Sequence, residues 1–441
     1  MKRLFYLLNL TVSGIKSIKK DIRLDFYKKT IDKEFDPDLY RVKAIYGENG
    51  SGKSALITSI KIFRDLIVSN NYLSESQNQS FLEEIINKET ELFKFNCEYI
   101  VESVVESDIN WVYNYSVYIG RNDNGLYEIK YEKLMKKNGN YPNNNYHVIF
   151  EVKEGELISI ALEDNEKEDI VKKTLNLLST NSMINLWITN TKIQNTNSGI
   201  LDFDIIFCFV FILSINIYLD EEDEHELYFL RKKLKGIDKH SLGDGFAGLE
   251  ENINDFASVN ERKIEKKHFK NYKKRINQLT QFIKIFKPDL KKVDIDKKED
   301  GEVYICELIL DYGKYRVNKK FESTGIKKLI RLFDCFMFAS KMGIVFIDEM
   351  DSNINDVYLC RLIEYFMYYG KGQLCFTTHN LDPMIALKEN KNSIDFLSND
   401  NKLISWTSHG NASPDNFYRN GMIENIPFNI DATDFIGIFG E

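Results

Sequence analysis

The sequence predicts an α/β protein: a mixed central sheet with flanking helices, an antiparallel β subdomain, and a helical insertion between the halves of the central sheet. Three observations lead there. An apolar stretch at residues 42–46 runs into a glycine-rich turn, and then Ala55, Leu56, Ile60, Phe63, Leu66 and Ile67 recur at helical spacing. Two apolar runs near the other end, Ile344–Ile347 and Gln373–Thr377, read as strands buried on both faces, as in parallel sheets. Residues 94–135 instead alternate, as FKFNCEYIVE, WVYNYSVYIG and GLYEIKYEKL, the pattern of antiparallel strands joined by turns. Because the two ends must meet in one sheet, the middle is extruded, giving expected units of 1–160, 161–300 and 301–441.

Taken in order, residues 4–12 and 22–26 have the apolar content of a first hairpin. The opening Met1-Lys2-Arg3 and its apolar continuation reach Thr11, Ser13 and Lys16 with no small-residue cleavage site, so a strand is expected and not a secretion signal. In the alternating region the middle pair turns at Arg121-Asn122-Asp123-Asn124-Gly125, and residues 138–145 are an Asn/Gly/Pro-rich loop. From about 165 to 290 charged helical segments are expected. Within them, IIFCFVFILSINIYL at 205–219 is shorter than the ~20 residues that cross a bilayer and has acidic flanks, so it reads as a buried helix or strand. A strand at 303–310, a second strand, a helix and the two buried strands complete the chain.

Composition sets limits. The 441 residues are 43% hydrophobic and 13% aromatic, enough for a large core. The net charge of −8 and pI near 5.6 make no global demand for nucleic acid. A local patch remains: from Arg262 to Arg275 there are eight Lys/Arg and one Glu. Such runs are usually solvated helix faces, and a nucleic-acid contact is the sharper alternative. The six cysteines include no CxxC pair and several lie in apolar runs, which reads as reduced thiols in a cytoplasmic protein.

The chemistry concentrates in three motifs. Gly47-Glu48-Asn49-Gly50-Ser51-Gly52-Lys53-Ser54 fits GxxxxGK[ST] between a strand and a helix, the context in which such a loop cradles phosphate. Its glycines let backbone N–H groups turn inward, Lys53 reaches the β- and γ-phosphates of ATP, and the Ser54 hydroxyl ligates Mg²⁺. Ile344-Val345-Phe346-Ile347-Asp348-Glu349 ends an apolar strand in two carboxylates: Asp348 is placed for Mg²⁺, Glu349 as general base for water. Cys375-Phe376-Thr377-Thr378-His379-Asn380 puts a polar His at a strand end, suited to sensing a γ-phosphate, although a lone His is more often structural.

In that order, with Ser323-Thr324-Gly325 before IVFIDE, these motifs resemble the ABC-type ATPase heads of the SMC, Rad50, RecF and OLD group, most nearly the compact prokaryotic AAA-15 and AAA-21 ATPases. Lys16-Ser17 stands where an Arg-Ser is common, and Tyr131-Glu132-Lys133-Leu134 resembles their E-x-L strand end. The resemblance implies an ABC-type P-loop head in which Ser323 and Gly325 contact the nucleotide of the opposite subunit, so a homodimer or higher homo-oligomer closes around ATP. Independently, Ser-Thr-Gly before an amphipathic helix is an N-cap with exposed N–H donors. Asp351-Ser352-Asn353-Ile354-Asn355 occupies the D-loop position without the usual Leu-His, and the Q-loop glutamine has no clear place, Gln77 and Gln79 being in the right region.

Small heads of this type resemble the ATPase subunits of antiphage and abortive-infection systems, including OLD-like, PARIS and Septu proteins. Too few residues follow His379 for a Toprim nuclease domain, so a separate effector protein is expected. The alternatives are a DNA-repair or DNA-structure ATPase gripping nucleic acid through Arg262 to Arg275, and a scaffold with slow hydrolysis.

Overall fold

The computed structural model describes residues 5–102, 109–189, 199–219, 258–341, 343–388, 390, 392–407, 413–422 and 438. Phe5–Ser13 (β1) is buried along nearly its whole length and pairs with Ile22–Asp25 (β2). Val42–Gly47 (β3) leads through the glycine-rich loop into Lys53–Val68 (α1), and Ser76–Ile85 (α2) follows. Then comes a meander: Leu92–Val101 (β4), Trp111–Arg121 (β5), Tyr127–Asn138 (β6), His147–Lys153 (β7) and Glu156–Ile160 (β8). These strands join β1 and β2 in a seven-stranded antiparallel sheet ordered β2-β1-β4-β5-β6-β7-β8. Alternation puts Phe95, Tyr99, Tyr113 and Tyr115 on its inner face, and Phe63 of α1 stacks on Phe95 with ring centroids 4.6 Å apart.

Asp164–Thr174 (α3), Met183–Thr189 (α4), Gly199–Leu213 (α5) and Ile215–Tyr218 (β9) come next. The apolar run at 205–219 is thus both a helix and a strand, divided at Ser214, whose hydroxyl donates to the Phe211 carbonyl at 2.6 Å. Helix α5 is mostly buried from Ile205 onward, and Phe211 stacks on Tyr99 at 3.7 Å. A smaller antiparallel sheet follows from Lys263–Glu265 (β10), with Phe269–Phe286 (α6) after it, then Lys292–Asp300 (β11), Val303–Asp311 (β12) and Arg316–Asn318 (β13).

The remaining elements are Thr324–Lys341 (α7), Ile344–Ile347 (β14), Asp356–Tyr368 (α8), Gln373–Thr377 (β15), Asp382–Leu387 (α9), Ile394–Leu397 (β16), Leu403–Ser405 (β17) and Pro414–Arg419 (α10). The central sheet runs β17-β16-β3-β15-β14-β9, parallel throughout except at β16/β17. One face, with Ile45, Phe346 and Cys375, joins the core shared with α1, α4, α5 and the antiparallel sheet. The other, with Ala44, Val345, Ile347 and Phe376, is covered by α6, α7 and α8.

The mixed central sheet, its flanking helices and the antiparallel β subdomain are as expected from the sequence. The 161–300 stretch differs from a purely helical insertion. Its α4 and α5 lie in the main core, β9 is an edge strand of the central sheet, and β10 and β11 are strands. Residues 220–257 lie outside the described residues. Between the two large sheets, the Gln373 amide acts as a staple. It accepts from the Leu7 N–H at 2.7 Å and donates to the Leu7 carbonyl at 2.9 Å, at a bulge in β1.

Candidate functional site

Because β3, β15 and β14 are parallel neighbours, their carboxyl ends open on the same edge of the sheet. That edge carries the glycine-rich loop after β3, Thr378 to Asn380 after β15, and Asp348-Glu349 after β14.

In the loop, Gly52 precedes α1 with φ 107°, a backbone that side chains rarely adopt, and a Cβ there would lie 2.8 Å from Ile18. The turn carrying Lys16 and Ser17 therefore rests directly on the loop. Gly47 ends β3, where a Cβ would meet the Leu397 carbonyl oxygen at 2.5 Å. Asn49 and Gly50 are exposed, and Ser54 is half-buried in the first turn of α1. The Lys53 ammonium is buried and donates to the carbonyls of Gly47 (2.7 Å) and Glu48 (2.9 Å). Burial lowers its pKa, and Asp348, Glu349, Asp351 and Glu48 oppose that shift. Two oxygens in this region, Ser51 Oγ and Asp351 Oδ1, are buried without a hydrogen-bond partner among the described residues.

Asp348 is 7% exposed, and its N–H donates to the Tyr218 carbonyl of β9 at 2.8 Å. Thr377, fully buried at the end of β15, grips both acidic residues: its hydroxyl donates to Asp348 Oδ1 at 2.5 Å and accepts from the Glu349 N–H at 2.8 Å. Glu349 has φ 46°, a left-handed backbone uncommon outside glycine. His379 is exposed at the same edge. Partial burial, and then the Lys53 charge, lower its imidazole below the ordinary value of 6.5, against the pull of Asp351, Glu349 and Asp348. Lys53, Asp348, Glu349 and His379 thus share one electrostatic environment.

A phosphate loop at a helix start and an acid-ended strand two places away in one parallel sheet decide the architecture. The fold is an α/β fold of the P-loop type. No protein-family model matches the sequence, and no curated protein matches it. Solved structures resemble it over most of its length. An SMC head bound to the C-winged helix domain of ScpA is 15% identical, covering 91% of this chain and 98% of that one, with a TM-score of 0.45. An SMC head with an extended coiled coil, bound to the C-terminal domain of ScpA and derived from Pyrococcus furiosus, is 16% identical over 92% and 97%, with a TM-score of 0.43. The recombination mediator protein RecF-ATPrS of the RecFOR pathway is 12% identical over 92% and 99%, with a TM-score of 0.39.

Ser323 and Gly325 stand elsewhere. Ser323 precedes α7, its hydroxyl accepting from the Ile326 N–H at 3.4 Å, and Ser323 and Thr324 are exposed. Among the described residues no hydrogen bond joins them to residues 47–54. Gly325 is confined within its own chain, since a Cβ would lie 2.8 Å from the Asn353 carbonyl oxygen. Two residues from the family motifs have other work. Glu132 is fully buried and accepts from Tyr115 (2.8 Å), Ser182 (2.7 Å) and the Met183 N–H (2.8 Å), capping α4, and burial raises its pKa. Gln79 is committed to the backbone of Leu73 and Tyr127.

In the basic patch, Arg275 is buried, while Arg262, Lys266 and Lys267 pair with Glu307, Glu299 and Glu265. Sequence reasoning missed Thr377 and Lys328, a buried lysine of α7 that reaches the loop after β14. Thr377 lies within the motif singled out for its histidine; Lys328 carries no motif signal of its own.

Proposed function

We propose that the chain is an ABC-type head that binds ATP with Mg²⁺, hydrolyses it, and closes each site with a second copy of itself. The observation that carries this reading is the convergence of Lys53, Asp348, Glu349 and His379 on one sheet edge, with Ser323 and Thr324 exposed at a different helix start. The residues fit the nucleotide. Among the described residues, Ser51 Oγ is buried without a partner, as a phosphate-lining hydroxyl would be, and Lys53 donates to carbonyls that a phosphate can replace. They also fit the metal. The Ser54 hydroxyl and Asp348 carboxylate are hard oxygen donors, and Mg²⁺ takes few protein ligands beside phosphate and water. Among the described residues no cluster of three or more His, Cys, Asp or Glu competes as a metal site.

When bound, Mg²⁺ supplies charge neutralisation at the phosphates. The chain's own groups do the rest. Lys53 and the N–H groups at the start of α1 bind the phosphates, and Glu349 accepts the proton of the attacking water. His379 donates an N–H toward the γ-phosphate. Ser323 and the N–H groups beside it complete the neighbouring copy's site.

Complementation tests the reading. Lys53→Ala and Ser323→Arg should each be inactive, and mixing them should restore activity, because one site of the mixed dimer is intact. Statistical exchange in a twofold dimer gives about a quarter of wild-type turnover. Ser323 is a cleaner target than Gly325, where a side chain would strike the chain's own Asn353. No recovery after verified subunit exchange would leave an ATPase that works within one chain.

For the cellular role, we favour an ATPase subunit of an antiphage or abortive-infection system that gates a separate effector. Three of the eight basic residues at 262–275 pair with carboxylates of the same chain, which lowers the charge available to nucleic acid only in part and weighs modestly against the DNA-repair alternative. A stable co-purifying effector supports the first role, and DNA affinity falling steeply with salt supports the second.

A further inference from the structure

Lys328 lies one turn beyond Ser323 to Gly325 and is 3% exposed. A buried ammonium is costly unless acceptors surround it. This one donates to the Glu349 carbonyl at 2.6 Å and to the Ser352 hydroxyl, with the Tyr218 ring centroid 5.7 Å away. One of its acceptors therefore belongs to the residue expected to activate water. Glu349 has a left-handed backbone, and both of its peptide groups are tied: its N–H to Thr377 and its carbonyl to Lys328. The second peptide group is also held by the Ser352 N–H donating to the Glu349 carbonyl (3.1 Å) and the Met350 N–H donating to the Thr377 carbonyl (3.0 Å), so the direction of the Glu349 Cα–Cβ bond is set. The first turn of α7 touches this loop a second time, through Gly325 against the Asn353 carbonyl.

We propose that Lys328 is a positioning residue for hydrolysis, holding the backbone of Glu349 so that its carboxylate meets the water at the site of its own chain. The proposal rests on the ATPase reading above. It gives one helix start two duties at two different sites: Ser323 and Gly325 serve the neighbouring copy's nucleotide, while Lys328 serves its own chain's. No covalent step involves Lys328. It neither touches substrate nor moves a proton.

The test combines kinetics with complementation in the full chain. Lys328→Met should lower kcat by about tenfold or more while ATP affinity, read by calorimetry, stays within about threefold, the signature of a lost transition-state interaction. Lys328→Arg should recover part of the loss because it keeps a charged donor. Ser352→Ala should give a smaller loss of the same kind, and it tests the contact even where Lys328→Met fails to fold. Mixing is the readout that a merely structural lysine would not move. Lys328→Met should regain activity with Ser323→Arg as partner and not with Lys53→Ala, because its defect lies on the phosphate-loop side of a site. Recovery with Lys53→Ala instead would show that Lys328 acts through the α7 start. That result, recovery with neither partner, an ATP affinity falling in step with kcat, or an unchanged kcat would each overturn the proposal. An inactive wild-type protein would overturn the ATPase reading as well. An active wild type with unchanged Lys328→Met turnover overturns this inference alone.

Discussion

Thr377→Val isolates the polar part of one side chain, because valine keeps the shape and burial of threonine and removes only the hydroxyl. Two bonds disappear: the 2.5 Å donation to the Asp348 carboxylate and the 2.8 Å acceptance from the Glu349 N–H. A hydrogen bond to a charged group contributes about 1.5–3 kcal/mol, and a buried N–H left unpaired costs about 1–3 kcal/mol. Since Lys53 still faces Asp348, the expected loss of stability is about 2–4 kcal/mol. Urea unfolding of the nucleotide-free protein measures it, with Thr377→Ser as the control that keeps the hydroxyl. Turnover should fall with it, because the two acidic residues lose the atom that sets their spacing, while ATP binding through Lys53 persists. A Thr377→Val protein within about 0.5 kcal/mol of wild type, the range of ordinary neutral changes, and with wild-type turnover would refute the role given to this hydroxyl.

Glu349→Gln should bind ATP yet hydrolyse it ~10²–10⁴-fold more slowly, the usual effect of removing a general base; single-turnover assays decide it. Gln373→Leu strands the buried N–H and carbonyl of Leu7 and should cost about 2–5 kcal/mol in denaturant unfolding, whereas a loss under about 1 kcal/mol would mean that water replaces the amide. His379 should titrate below 6.5 by NMR, and Lys53→Ala should move that midpoint upward by removing a repelling charge. With a folded pKa below the unfolded value, His379 lowers stability as pH falls through 6.5 and stops doing so below its folded pKa.

The phosphate loop and the acid-ended strand were legible because each is a local pattern whose chemistry needs adjacent residues. Thr377 was not. Its motif drew attention to the histidine, and nothing in a threonine at a strand end announces two carboxyl-end partners. Lys328 lies in the helix start after Ser323-Thr324-Gly325, where nothing in the sequence singles it out; only the fold turns it toward Glu349. Strand β9 was hidden inside an unbroken apolar run, where helix and strand give no distinguishing period. Strand β11, KVDIDKKED, is mostly exposed and highly charged, so it lacks the apolar alternation that marks its hairpin partner β12. The resemblance named Gln77 and Gln79 as the region of a catalytic loop, but Gln79 spends its amide bonding a strand end and a short turn.

The neighbours of β3 also set an order of events during synthesis. Val42 to Ile45 pair with Leu374 to Thr377, and Ala44 to Gly47 pair with Ile394 to Leu397. The antiparallel meander β4 to β8 needs only strands close in sequence and can assemble as the ribosome releases it. Strand β3 has no such option and must stay unpaired while more than half of the chain is made. Pairings this distant close large loops and form slowly, leaving apolar edges open to misassembly in the interval. The glycine-rich loop after β3 is thus encoded early but takes its place at the sheet edge only when β15 and β16 arrive.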